Sequence, residues 1–180
     1  MTKQQIFNIV VEGFAKQRQL SYCPERNICV YKDKLNRKCA IGLLIPDELY
    51  SNHLEFNAAS SILSYAYYST ATTHDTIAKR KVGEYLFELL DVSKEDVADN
   101  TQLANSAIKF YADLQIVHDG MIRSDDESNN SPEYPEYMNF PQRLMEFAKK
   151  RTLNTDIVVQ YLSELTKIVY DKTASLQPSC

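Results

Sequence analysis

Two short segments hold the residues best placed to do chemistry. The first is Lys38-Cys-Ala-Ile-Gly-Leu-Leu-Ile-Pro-Asp-Glu-Leu-Tyr50, an apolar run that ends in Gly42, Pro46 and the acidic pair Asp47-Glu48. Neighbouring carboxylates at the rim of such a run could ligate a cation or divide acid and base roles. The plainer reading is a buried strand followed by an exposed turn with a capping aspartate. The second segment is Leu114-Gln-Ile-Val-His118-Asp119-Gly120. His118 lies on an apolar stripe at a helix end, where the helix dipole favours a cationic imidazole. Asp119 beside it could ligate a metal or orient a base. A hydrolytic metal site built on an adjacent His-Asp needs further, separated ligands, and only His53 and His74 remain. The plainer reading of His118 is a core histidine bonded to a backbone carbonyl.

Other constellations are thinner. Cys39 and His118 could pair as nucleophile and base, but nothing around Cys39 has the pattern of a protease or transferase. In the acidic stretch after Gly120, Asp125, Glu127, Asn129, Ser131, Glu133 and Glu136 fall on positions one, three, five, seven, nine and twelve of a calcium-type loop. Asn130 stands where that loop needs Gly, and Pro132 and Pro135 interrupt it, which favours a solvated loop. No phosphate-binding Gly-rich loop and no nucleophile elbow is present. The four cysteines, Cys23, Cys29, Cys39 and Cys180, match no zinc-finger spacing. A reducing compartment makes disulfides unexpected, and Cys29 and Cys39 read as small packing residues.

The elements that must position these residues are mostly helical. Thr2 and Gln5 form a capping box for a helix from Lys3 to about Gln19, with Ile6, Phe7, Val10 and Phe14 on one face. Ile28–Tyr31 and Lys38–Leu44, joined by Asp33–Asn36, read as a β-hairpin spanning 28–44. Gly42 permits a close backbone approach there, and Pro46–Tyr50 suits a single helical turn. Further helices are expected near 58–68, from Asp75 to Leu90, and from Thr101 to His118 on a stripe of Leu103, Ala107, Tyr111, Leu114 and His118. Another starts at Asn139 with Pro141 in its first turn. The last is capped by Thr155. The fold class is therefore mainly α with a small β-hairpin (α+β), a helical domain of about six helices. Residues 1–153 form the main domain, 154–172 an additional C-terminal helix and 173–180 a tail.

Composition narrows the function. A mild net charge of −4 disfavours broad nucleic-acid binding, which needs a basic face, but leaves room for a small basic pocket. In 120–138, Asp125, Asp126, Glu127, Glu133 and Glu136 face one Arg123, so that loop carries a charge equal to the whole chain's. No stretch is apolar and long enough to span a membrane and the first residues carry no signal-peptide pattern, so a cytoplasmic protein is expected. The chain has 12 Tyr and no Trp. Tyr65, Tyr67 and Tyr68 cluster, as do Tyr134 and Tyr137, and exposed tyrosines suit an interface.

The segments Lys38–Tyr50 and Leu114–Asp119 also carry a resemblance. The chain resembles, over roughly Thr2 to Leu153, a family of small uncharacterised bacteriophage and bacterial proteins that share Lys-Cys-Ala-Ile-Gly, Leu-Ile-Pro-Asp and a later Leu-Gln-x-x-His-Asp. Family members often carry a second Cys just after the Gly, where this chain has Leu43. The resemblance implies no activity, only the setting of a phage-type accessory protein acting on a host target in the host cytoplasm. In that setting two modes of binding are expected. A helical face with Tyr65, Tyr67, Tyr68, Tyr134 and Tyr137 could dock on a host protein. Alternatively, a pocket of Arg37, Lys38, Asp47, Tyr50, His118 and Asp119 could sequester a nucleotide-like signal, antagonising host defence. The other class of reading is a metal-dependent hydrolase using Asp47, Glu48, His118 and Asp119. No catalytic residue, metal or cofactor is assigned from the sequence. A homodimer through the apolar last helix is a further expectation.

Overall fold

The computed structural model describes residues 1–23, 25–26, 28–70, 72–119 and 139–168, without the side chains of Tyr68, Val97, Ala98 and Asp99. Helix α1 (Lys3–Gln17) is the centre of the packing. Thr2 accepts from the Gln5 amide at 3.2 Å and Gln5 returns the bond to the Thr2 amide at 2.8 Å, so both ends of the expected capping box are made. The helix stops at Arg18, whose left-handed backbone (φ 59°) turns its N–H onto the Phe14 carbonyl. Ile6, Phe7, Val10, Val11, Phe14 and Ala15 are all buried.

Around it pack α5 (Thr101–Asp119) and α6 (Phe140–Lys150). Phe7 meets Phe147 at 5.7 Å and Phe14 meets Phe140 edge-on at 4.8 Å. The cap at Asn139 and the proline in the first turn of α6 are as expected. On the far side of α5 lie α2 (Ala59–Tyr68) and α3 (His74–Leu89). They approach closely at Gly83, where a Cβ would come within 2.6 Å of the Ile62 carbonyl oxygen. The buried Tyr111 hydroxyl donates to the Leu86 carbonyl at 2.7 Å and ties α5 to α3. The α5 stripe is shifted from its expected residues: Leu103 is exposed while Phe110 and Val117 are buried beside Ala107, Tyr111, Leu114 and His118.

Two helices go beyond the expected six positions. α4 (Lys94–Asp99) occupies the stretch between the helices expected at Asp75–Leu90 and Thr101–His118, and Ser93 and Asp96 make a capping box for it. The last helix is divided at Tyr161 into α7 (Asp156–Gln160) and α8 (Leu162–Leu165). Val158, Leu165 and Ile168 are buried, while Val159 and Leu162 remain exposed. Among the described residues no helix is long and apolar enough to cross a membrane.

The expected β-hairpin at 28–44 is not formed. Only isolated bridges occur there, Cys23 with Ile28 and Lys32 with Lys38. The reason is burial. Successive side chains of a strand point to opposite faces, yet Cys39, Ala40 and Ile41 are all buried, followed by Leu44 and Ile45. A 3-10 turn at Gly42–Leu44 rolls the chain so that nearly the whole run faces the core. The backbone approach expected at Gly42 is found, since a Cβ there would overlap the Tyr31 carbonyl oxygen. The single turn after Pro46 also forms, with the Tyr50 amide donating to the Pro46 carbonyl at 3.1 Å. Cys29 and Cys39 carry free thiols. Against expectation, Cys23 is disulfide-bonded.

Candidate functional site

The loop from Arg18 to Leu44 carries Cys29 of one candidate site and both lysines, Lys32 and Lys38, of the other, so its anchoring matters. Gln17 brackets Lys38, accepting from its amide at 2.7 Å and donating to its carbonyl at 3.0 Å. The Ser21 hydroxyl donates to the Val30 carbonyl. Glu55 accepts from the amides of Tyr31 at 2.8 Å and Lys32 at 3.1 Å, and from the Tyr50 hydroxyl at 2.7 Å. The Tyr31 hydroxyl donates to the Asn57 carbonyl at 2.7 Å.

Glu55 is the charged hub of this anchoring. Burial holds its carboxyl above the usual range, partly opposed by the bonds from Tyr50, Tyr31 and Lys32. A carboxyl whose folded pKa is raised binds its proton more readily in the folded chain. Its contribution therefore lowers stability as pH rises from the unfolded value through the raised folded one. Glu55→Gln is expected to flatten that mildly acidic slope in urea midpoints measured against pH; an unchanged slope would remove Glu55 from the account. Glu55→Ala takes the carboxylate acceptor from the Tyr31 and Lys32 amides and the short acceptor from the Tyr50 hydroxyl, and is expected to cost about 2 kcal/mol.

His118, in the last turn of α5, is fully buried, and its ring stacks on Phe14 at 5.5 Å and 16°. Its Nδ1 lies 3.0 Å from the Cys29 thiol and 3.2 Å from an Asp119 carboxylate oxygen. Among the described residues the expected bond to a backbone carbonyl is not made, and Nε2 is buried with no partner. Asp119 is 39% exposed, so the group opens to solvent on the carboxylate side. Burial first, then the Asp119 charge, pushes the Cys29 thiol well above its ordinary range. That argues against a nucleophile, which needs a thiolate. The geometry agrees: thiol and carboxylate share one imidazole nitrogen, whereas a catalytic triad puts them on opposite ones. Cys39, considered above as a nucleophile beside His118, instead accepts from the Gly42 amide at 3.3 Å, and burial raises its thiol above the ordinary range.

A second cluster forms on the other side of Tyr31. The ammonium groups of Lys32 and Lys38 both reach the same oxygen of Asp47, at 3.1 and 3.0 Å. Lys32 also lies over the Tyr50 ring at 5.3 Å from its centre. The two lysine side chains are 20% and 21% exposed, whereas Asp47 is 68% exposed. Bonds from Lys38 and Lys32 hold the Asp47 carboxyl below the usual range.

The residues expected in one pocket thus fall into two groups. Lys38, Asp47 and Tyr50 join Lys32, while His118 and Asp119 join Cys29. Tyr31 lies between, its phenol raised by burial and by charges that include Asp119 and Glu55. Arg37 pairs with Asp33 and donates to Gln19 at 2.9 Å. Among the described residues, the cluster with metal-ligand spacing is Cys29, His118 and Asp119. Asp47 and Glu48 are not part of it, so the four carboxylate and imidazole groups of the hydrolase reading are not assembled.

The chain matches no family model, no curated protein and no solved structure.

Of the tyrosines expected at an interface, Tyr65 and Tyr67 are half-buried, and Tyr65 lies under the Lys79 ammonium at 5.0 Å. Tyr68's side chain, Tyr134, Tyr137 and the acidic loop at 120–138 lie outside the described residues. Cys29, Lys32 and Glu55 were not singled out by sequence. Cys29 and His118 are 89 residues apart, and neither spacing nor composition joins them.

Proposed function

We propose that this is a binding protein that captures a small anionic, nucleotide-like ligand at the Lys32–Lys38 pair. The observation that carries the reading is the convergence of two half-buried ammonium groups on one exposed carboxylate oxygen. Two like charges held this close need a counter-charge, and Asp47 neutralises only one of them. The lysines are packed in place, but Asp47 can rotate into solvent without unpacking anything. A phosphate arriving there would accept from both lysines as the carboxylate does, with more oxygens and a second negative charge. Tyr50 adds an aromatic surface beside the charge. The likeness to phage-type accessory proteins supports a host signal as the ligand by context alone.

The reading makes opposite predictions for neighbouring residues. In calorimetric titrations with inorganic phosphate, AMP, ATP and a cyclic dinucleotide, Lys38→Met is expected to weaken binding of the preferred anion by about tenfold or more. Asp47→Asn is expected to tighten it, because the internal competitor is gone. If no anion in the panel binds, or Asp47→Asn weakens binding, the pair is a surface ion cluster and the reading is wrong.

A further inference from the structure

We infer that Cys29, His118 and Asp119 form a binding site for a divalent cation of the zinc class, through Sγ, Nδ1 and a carboxylate oxygen. This site is separate from the lysine pair and rests on different observations.

The first observation is the ligand set. Their ligand atoms all lie within 4.8 Å of one another. Thiolate, imidazole and carboxylate together suit a borderline cation such as zinc, whereas calcium and magnesium take oxygen alone. Bonds of about 2.3 Å to sulfur and about 2.0 Å to nitrogen place those two atoms about 3.5 Å apart in a tetrahedral centre. The observed 3.0 Å between Sγ and Nδ1 therefore needs a small outward shift.

The second observation is the cost already present at His118. A fully buried imidazole must satisfy its nitrogens inside the fold, and Nε2, which a cation on Nδ1 would not reach, has no partner among the described residues. Its other nitrogen faces a thiol and a carboxylate at once, and a single proton on Nδ1 serves those two groups poorly. A cation at that point satisfies all three groups together. Phe14, stacked on the imidazole, fixes the plane of the ring and so the direction of its nitrogen lone pair.

The charges balance. Binding expels one proton from the Cys29 thiol, the imidazole proton passes from Nδ1 to Nε2, and Asp119 enters as the carboxylate. Thiolate and carboxylate then cancel the dication. Three protein ligands with Asp119 on the solvent side leave a fourth position for water, the arrangement of open rather than closed zinc sites.

The test uses the full chain, stripped of metal with a chelator and handled without oxygen or added reductant, so that the Cys23 disulfide stays closed. Titration with cobalt(II) is expected to give a thiolate-to-cobalt charge-transfer band and the visible bands of a four-coordinate ion, both bleached by one equivalent of zinc. Cys29→Ser is expected to remove the charge-transfer band. Asp119→Asn, a change at a solvent-facing side chain, keeps the test open should Cys29→Ser fail to fold, and is expected to weaken cobalt at least tenfold. The inference is overturned by the absence of a thiolate band in excess cobalt, by a parent-like band in Cys29→Ser, or by unchanged affinity in Asp119→Asn.

Discussion

Gly42→Ala is expected to lower the unfolding free energy by about 3 kcal/mol or more, the upper end of what overpacking costs. The added methyl would overlap the Tyr31 carbonyl oxygen and lie 2.9 Å from its carbon and 3.3 Å from the Lys38 Cβ. These are backbone atoms or stem atoms, with no rotamer that moves them away. The Tyr31 carbonyl is also engaged, accepting from the Cys39 amide at 3.2 Å. To admit the methyl, that bond must open and the Tyr31 segment must lift. Cys29 and Lys32 lie two residues before and one after Tyr31, so both candidate sites are disturbed with it. Gly13→Ala is the control. A Cβ there comes within 2.6 Å of a Leu43 methyl, the far end of a half-buried side chain that can turn. Relief from Gly in the middle of α1 returns about 0.5–1 kcal/mol, so the net change is expected to be small. Urea unfolding of both variants decides the matter; equal midpoints would mean that Gly42 is held no more tightly than Gly13.

The helices were legible where local signals agree with burial. Thr2 with Gln5 and Asn139 with Pro141 mark helix starts through bonds made within one turn, and the structure makes them. Ser93 and Asp96 carry the same kind of signal for α4, overlooked because the helix is short and polar. The loop at 28–44 was not legible. Its apolar, β-branched residues read as strands, but their burial on all sides is set by α1 and by Glu55, which lies outside the segment. Local propensity yields to tertiary packing there. The candidate sites divide in the same way. His118 and Asp119 stand out because they adjoin one another in sequence, and Lys38, Asp47 and Tyr50 because they share one unusual segment. Cys29 and Lys32 reach those groups only through the fold of the loop, which no spacing along the chain reports.

Phe14→Ala is expected to cost about 3–5 kcal/mol, the range for deleting a fully buried aromatic ring, and to show as an equal drop in urea-derived stability. Phe14 is 0% exposed and holds two ring contacts at once, edge-on to Phe140 and stacked on His118. Its loss opens a cavity where α1, α5 and α6 meet. The neighbouring His118→Leu is expected to behave very differently. Compared metal-free with the metal-free parent, it removes a buried Nε2 that has no partner among the described residues and leaves Asp119 free to hydrate, so its stability should stay within about 1 kcal/mol of the parent. Two residues in face-to-face contact would then differ by several-fold in what they contribute to folding. That difference separates a residue kept for packing from one kept for what its nitrogen binds. A large loss in His118→Leu would instead place the imidazole among the core residues and make its contact with Cys29 and Asp119 part of the fold alone.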